Sequence, residues 1–116
     1  MKLTRRILLA GAIAFSASTA FTAASFAETA TIGVMNAMTG PYAFGGVPIQ
    51  NAMKLAIEQA NASGALGDLK LEVVEGDTAG DKGQTITLVS KFAQSDNALM
   101  IIGPTTSIEG TAGAPV

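Results

Sequence analysis

Thr105, Thr106 and Ser107 stand in a row directly after Ile101-Ile102-Gly103-Pro104, and Glu109 follows two residues later. Three adjacent hydroxyls can hydrogen-bond an anionic group, but a hydroxyl nucleophile also needs a base beside it. The sequence contains no His and no Cys. Imidazole bases, thiol nucleophiles, disulfides and most transition-metal sites are thereby removed. The other cluster that could do chemistry is the carboxylate pair Asp77 and Asp81. Asp81 with Gln84 has the spacing of a helix cap, and Asp77 suits a turn, so a metal is the lesser reading there. The expectation is binding without catalysis, with no metal and no cofactor.

Hydroxyls used in this way need a strand that delivers them and a helix that starts on them. Ala98–Ile102 is a short apolar run between Asn97 and Gly103-Pro104. It reads as a strand buried on both faces, ended by Pro104, which has no N–H to extend a ladder. Thr106 and Glu109 fit a capping box, which starts a helix at Thr106 or Ser107 with its unpaired N–H groups turned toward the strand end. In an open α/β sheet the crevice beyond the carboxyl ends of the strands is where ligands settle.

The rest of the chain supplies the frame. Ala30–Met35 suits a first strand, followed by a loop through Thr39-Gly40-Pro41 that carries Tyr42, Ala43 and Phe44, with Gly45-Gly46 as a second flexible point. Pro48 fits the first turn of a helix whose apolar face is Ile49, Ala52, Met53, Ala56, Ile57 and Ala60. Asn61-Ala62-Ser63-Gly64 ends that helix. Leu69–Glu75 mixes polar and apolar residues as an edge-side strand does. Thr85–Ser90 alternates enough for a strand, but the Asp81/Gln84 cap and the spacing of Thr85, Leu88, Val89, Phe92 and Ala93 favour a helix over Lys82–Gln94. Met53 and Met100 are assigned to the core. Strands alternating with helices of this length predict an α/β fold with a parallel, doubly wound sheet in the order β-α-β-α-β-α.

Residues 1–27 differ in kind. Lys2, Arg5 and Arg6 precede the apolar run Ile7–Phe15, and a Ser/Thr/Ala tract ends at Ser25-Phe26-Ala27. This is the pattern of a cleavable secretory signal peptide, with an apolar core about half of the roughly 20 residues that span a bilayer. Thr4-Arg5-Arg6-Ile7-Leu8-Leu9 also resembles a twin-arginine export signal. Without Cys there is no lipoprotein anchor, so the expected location is the periplasm. The formal net charge is −2, but all three of the other cations lie in the signal, leaving Lys54, Lys70, Lys82 and Lys91 against nine acids. An acidic remainder argues against nucleic acid and anionic membranes as partners.

Residues 28–116 form a marginal unit, since a domain of this size buries only roughly 60% of its unfolded surface. Two long helices and a third that soon meets Gly110, Gly113 and Pro115 are too few to cover both faces of a parallel sheet. The expectation is a partial lobe truncated at Val116.

Ile32-Gly33-Val34, Thr39-Gly40-Pro41-Tyr42-Ala43, Gly46, Leu55-Ala56-Ile57, Asn61-Ala62-Ser63-Gly64, Gly67, Asp77 and Ile101-Ile102-Gly103-Pro104 through Ser107 occur in that order. Together they resemble the N-terminal part of the periplasmic leucine/isoleucine/valine-binding proteins, the solute receptors of ABC importers. The resemblance implies a two-lobed clamp, monomeric at full length, of which this chain is part of the N-terminal lobe. It implies a small-molecule solute (amino acid, amide or aromatic acid) and a membrane permease as partners. It further implies that Ser107, with Thr105, Thr106 and nearby N–H groups, receives the solute carboxylate, and that Phe44 or Gly45, and Tyr42, come from the loop after the first strand. Gly45 stands where a larger ligand-facing residue is expected. The alternatives are the ligand-binding lobe of an extracellular sensor and a nucleotide-using doubly wound enzyme. Gly40-Pro41-Tyr42-Ala43-Phe44-Gly45-Gly46 matches neither nucleotide-loop pattern.

Overall fold

Ile32 and Val34 point to one side of the first strand and Gly33 and Met35 to the other, so both faces of that strand must be covered. A computed structural model describes residues 28–116, and the export signal expected at 1–27 lies outside the described residues. The elements are β1 (Thr29–Asn36), α1 (Ala43–Ala62), β2 (Lys70–Asp77), α2 (Lys82–Gln94), β3 (Met100–Ile102) and α3 (Ser107–Gly113). The sheet has the order β2-β1-β3 and is parallel throughout, the doubly wound α/β arrangement predicted above.

On one face Ile32 and Val34 meet Ile57 of α1, with Met53, Leu71, Val73 and Ile102 around them. On the other, the fully buried ring of Phe92 in α2 lies against Gly33 and Gly76. A Cβ on Gly33 would come within 2.6 Å of that ring, so the two strands carry glycine where the aromatic must sit flat. β1 pairs with β2 from Thr29↔Lys70 to Asn36↔Asp77, but with β3 only from Ile32↔Met100 to Val34↔Ile102.

Several boundaries differ from the sequence reading. α1 begins at Ala43, which places Phe44 and Gly45 in its first turns and Pro48 inside the helix. The missing N–H of Pro48 frees only the carbonyl of Phe44, close to the helix start. The buried stripe of α1 is Gly46, Gln50 and Ile57, while Ile49, Ala52 and Ala56 are exposed. A glutamine takes an apolar position there because its amide finds partners inside. β3 is three residues long, and Met100 is 52% exposed, not core. It lies at a sheet edge, with an outer side unpaired among the described residues. α2 spans the predicted residues, and Asp81 caps it by accepting from the Gln84 N–H at 2.8 Å. α1 ends at Ala62, with Gly64 following at φ +74. Among the described residues no helix is long and apolar enough to cross a membrane.

Candidate functional site

The carboxyl ends of the three strands open into three loops, and hydrogen bonds set their spacing. After β1 the chain turns at Ala37, whose N–H donates to Thr105 Oγ1 at 3.0 Å. Thr105 in turn donates to Asn36 Oδ1 at 3.2 Å. One hydroxyl thus joins the ends of β1 and β3. Two glycines permit the approach: a Cβ on Gly46 would stand 1.9 Å from the Ala37 carbonyl oxygen, and one on Gly103 would stand 1.8 Å from that of Met35. Only residues lacking a side chain fit against backbone at these distances.

On the β2 side the joint is a carboxylate. Asp77 accepts from the N–H groups of Met38 at 2.8 Å, Thr39 at 3.3 Å and Ala79 at 2.8 Å, and from the Thr39 hydroxyl at 2.7 Å. Partial burial by itself pushes the carboxyl up, but the Thr39 hydroxyl and these backbone donors outweigh it and hold it below the usual aspartate range. Its oxygens are occupied by the protein, and Asp81 caps α2.

The hydroxyl triplet divides. Thr106 is the N-cap of α3, and its hydroxyl donates to Glu109 Oε2 at 2.6 Å while that oxygen also accepts from the Thr106 N–H. The capping box read from the sequence is present, and it consumes the Thr106 hydroxyl. Thr105 is consumed by the bonds described above. Ser107 is exposed, and its hydroxyl makes no hydrogen bond among the described residues. The N–H groups of Ser107 and Ile108 begin the helix and have no intrahelical partner. Ser107 therefore offers a donor with neighbouring unpaired N–H groups.

Tyr42 occupies the N-cap position of α1 without a side-chain cap bond, and its ring leans on the β2–α2 loop, where a Cβ on Gly80 would meet it at 2.6 Å. Gly45 faces the triplet: a Cβ there would lie 3.9 Å from the Thr105 methyl and touch nothing closer. Phe44 is 85% exposed, so it covers no sheet edge among the described residues. The structure brings Gly45, Thr105, Thr106 and Ser107 to one corner and leaves Tyr42 on its β2 flank. A hollow of about 310 Å³ lies to one side, lined by Met35, Val89, Ile101, Pro104, Ala114 and Val116 among others. None of the three hydroxyl residues lines it. It is apolar space beside β3 and not the hydroxyl corner.

The sequence reading missed Asn36, Gln50 and Asn61. Asn61, assigned only a helix-ending role, holds Leu71 of β2 at both its N–H and its carbonyl, each at 2.8 Å. A signal for Gln50 exists in retrospect: it lies four residues after Gly46 and three before Met53 on one helical stripe.

Residues 29–116 match the family model described as periplasmic binding protein. The chain is 32% identical over 99 residues to the Leu/Ile/Val-binding protein homolog 1 of Brucella abortus, covering 85% of this chain and 26% of that protein. Among solved structures it resembles a solute-binding protein of an ABC transporter from Rhodopseudomonas palustris in complex with 3,4-dihydroxybenzoic acid, at 30% identity and a TM-score of 0.66, covering 75% of this chain and 23% of the other. A branched-chain amino acid transporter substrate-binding protein from Streptococcus pneumoniae, in complex with isoleucine, shares the fold at 24% identity and a TM-score of 0.73, over 76% and 25% of the two chains. The chain spans about a quarter of the length of these proteins. The ordered motifs, the parallel doubly wound sheet and the match over nearly all described residues agree: the chain belongs to the periplasmic binding protein family.

Proposed function

We propose that this chain supplies one wall of the solute site in an extracytoplasmic receptor of an ABC importer. The solute is a small carboxylate-bearing molecule, such as a branched-chain amino acid, bound without chemical change and passed to a membrane permease. The observation that carries this reading is the division of the triplet: two hydroxyls are held inward, while Ser107 is free beside two unpaired N–H groups. The named relatives support it. The Brucella protein is named for leucine, isoleucine and valine, and the bound molecules in the two neighbouring structures, isoleucine and 3,4-dihydroxybenzoic acid, both carry a carboxylate.

In this reading Ser107 donates to the carboxylate, Thr105 and Thr106 shape the loop that presents it, and Phe44, Gly45 and Tyr42 border the remainder of the solute. A micromolar complex needs about −8 kcal/mol, while one hydrogen bond to a charged group contributes about 1.5 to 3 kcal/mol. The balance comes from enclosure between two lobes. Export through a signal ending at Ala27 places the receptor in the periplasm, and the mature chain is expected to begin at Glu28.

Ser107→Ala in the whole protein tests the assignment, with Thr106→Ala as its control. Ser107→Ala is expected to weaken binding of L-isoleucine about ten- to a hundredfold and to leave the unfolding midpoint nearly unchanged. Thr106→Ala removes the cap and is expected to cost about 0.5 to 2 kcal/mol of stability with a smaller effect on binding. Unchanged affinity in a destabilised Ser107→Ala protein would remove Ser107 from the site.

A further inference from the structure

A line of hydrogen bonds runs from the hydroxyl corner through the layer between α1 and the sheet to the surface. Thr105 donates to Asn36 Oδ1, and Asn36 Nδ2 donates to Gln50 Oε1 at 2.9 Å. Gln50 Nε2 then donates to the Val34 carbonyl at 3.3 Å and to Glu75 Oε2 at 3.2 Å. Glu75 Oε1 meets Lys54 Nζ at 2.7 Å. Asn36 is 0% and Gln50 1% exposed, so each amide must find its partners inside the protein.

The direction of this line is forced from both ends. A carboxylate and a carbonyl can only accept, so the Gln50 group facing them is the NH₂. Its oxygen then faces Asn36, which must present its own NH₂, which turns the Asn36 oxygen toward Thr105. At the other end the Ala37 N–H can only donate to Thr105 Oγ1, which sends the hydroxyl hydrogen to Asn36. Every donor points away from the corner and toward Glu75. The Lys54 ammonium, with Gln50 assisting, holds the Glu75 carboxyl below the usual glutamate range and in its accepting form.

We propose that Gln50, acting through Asn36, is a positioning residue for the solute site: it keeps the Asn36 oxygen turned to the Thr105 hydroxyl and so fixes the loop on which Ser107 stands as the free donor. The proposal rests on the solute-receptor reading for its functional consequence, but the hydrogen-bond line is testable without any solute. Asn36 Nδ2 also reaches Met53 Sδ at 3.6 Å, a weak acceptor. If Gln50 loses its oxygen, that thioether alone is left to the buried NH₂ among the described residues, so the Asn36 amide turns and competes with the Ala37 N–H for Thr105 Oγ1. The join between the ends of β1 and β3 loosens.

Gln50→Met keeps the shape of the side chain and removes its amide, and Thr105→Val removes the far end of the line. Amide exchange by NMR in the solute-free whole protein is expected to quicken at Ala37 about tenfold or more in each, while Leu71, held by Asn61, exchanges as before. L-isoleucine affinity is expected to fall about tenfold in each, with no further loss in the double variant, since both act through one bond. Thr105→Ser keeps the hydroxyl and should restore both readouts. Wild-type exchange at Ala37 in Gln50→Met, or additive losses of affinity in the double variant, overturns the proposal. If Gln50→Met does not fold, Gln50→Lys, which keeps a donor for Glu75 and offers Asn36 no oxygen, is read in its place: quickened exchange at Ala37 is expected, and wild-type exchange there overturns the proposal. A wild-type protein that takes up no L-isoleucine sinks the solute reading for that molecule, while exchange at Ala37 still decides whether Gln50 positions the corner.

Discussion

β1 has two neighbours, and they hold it in different ways. On the β2 flank the pairing runs the length of the strand, Asp77 ties the two loops together at one end, and Asn61 clamps Leu71 near the other. On the β3 flank the pairing is three residues long, Leu99 is 77% exposed, and a single hydroxyl makes the side-chain join at the loop. Yet the free Ser107 donor stands on the β3 flank. The side on which the proposed solute donor stands is held least by its own sheet and most by one polar line reaching into the protein. This follows from what a ligand needs: donors left unpaired by the fold, on a loop that is nonetheless held still.

The sharpest test of this contrast is Phe92→Ala, which removes the ring seated on Gly33 and Gly76 beneath the well-held flank. Its loss is expected to cost about 3 to 5 kcal/mol, read as a large drop in the urea midpoint of the whole protein. A loss below about 1 kcal/mol would mean that the β2 flank does not depend on this packing.

Asp77→Asn comes next. The amide keeps one acceptor oxygen where four donors converge, so about 1 kcal/mol of stability should go. The pH dependence has a definite sign. Because the folded carboxyl holds its proton less readily than the unfolded one, its contribution is complete at neutral pH and fades as pH falls through and below the ordinary aspartate range. Asp77→Asn should therefore flatten the acid limb of the stability profile. An identical acid limb in the variant would take the joint away from Asp77.

The smallest effect is expected at Leu99→Asn, on the exposed edge. It should change stability by no more than about 0.5 kcal/mol. A larger loss would show that Leu99 is covered in the whole protein and that the β3 flank is completed by a neighbour.

Much of the fold was legible because local chemistry wrote it. The Asp81 cap with Gln84 and the Thr106/Glu109 box use atoms three residues apart, so their partners can be read along the chain and the helix starts follow. The alternation of strands and helices similarly carried the parallel order, and the hydroxyl triplet marked the corner. The start of α1 was misread for a related reason: Pro48 and Gly45-Gly46 look like a loop and a first turn, whereas Gly46 serves a close approach to the Ala37 carbonyl that only the packed state contains. Asn36 and Gln50 lie fourteen residues apart, and Thr105 is a further sixty-nine from Asn36. No local pattern shows that they meet, or that Asp77 reaches back to Met38 and Thr39. The sequence by itself determined which residues start helices and which run is strand, because those preferences are settled within one turn or one pleat. Which hydroxyls are consumed and which one remains free was decided only by the tertiary structure, because a donor is spoken for only when the fold brings an acceptor to it.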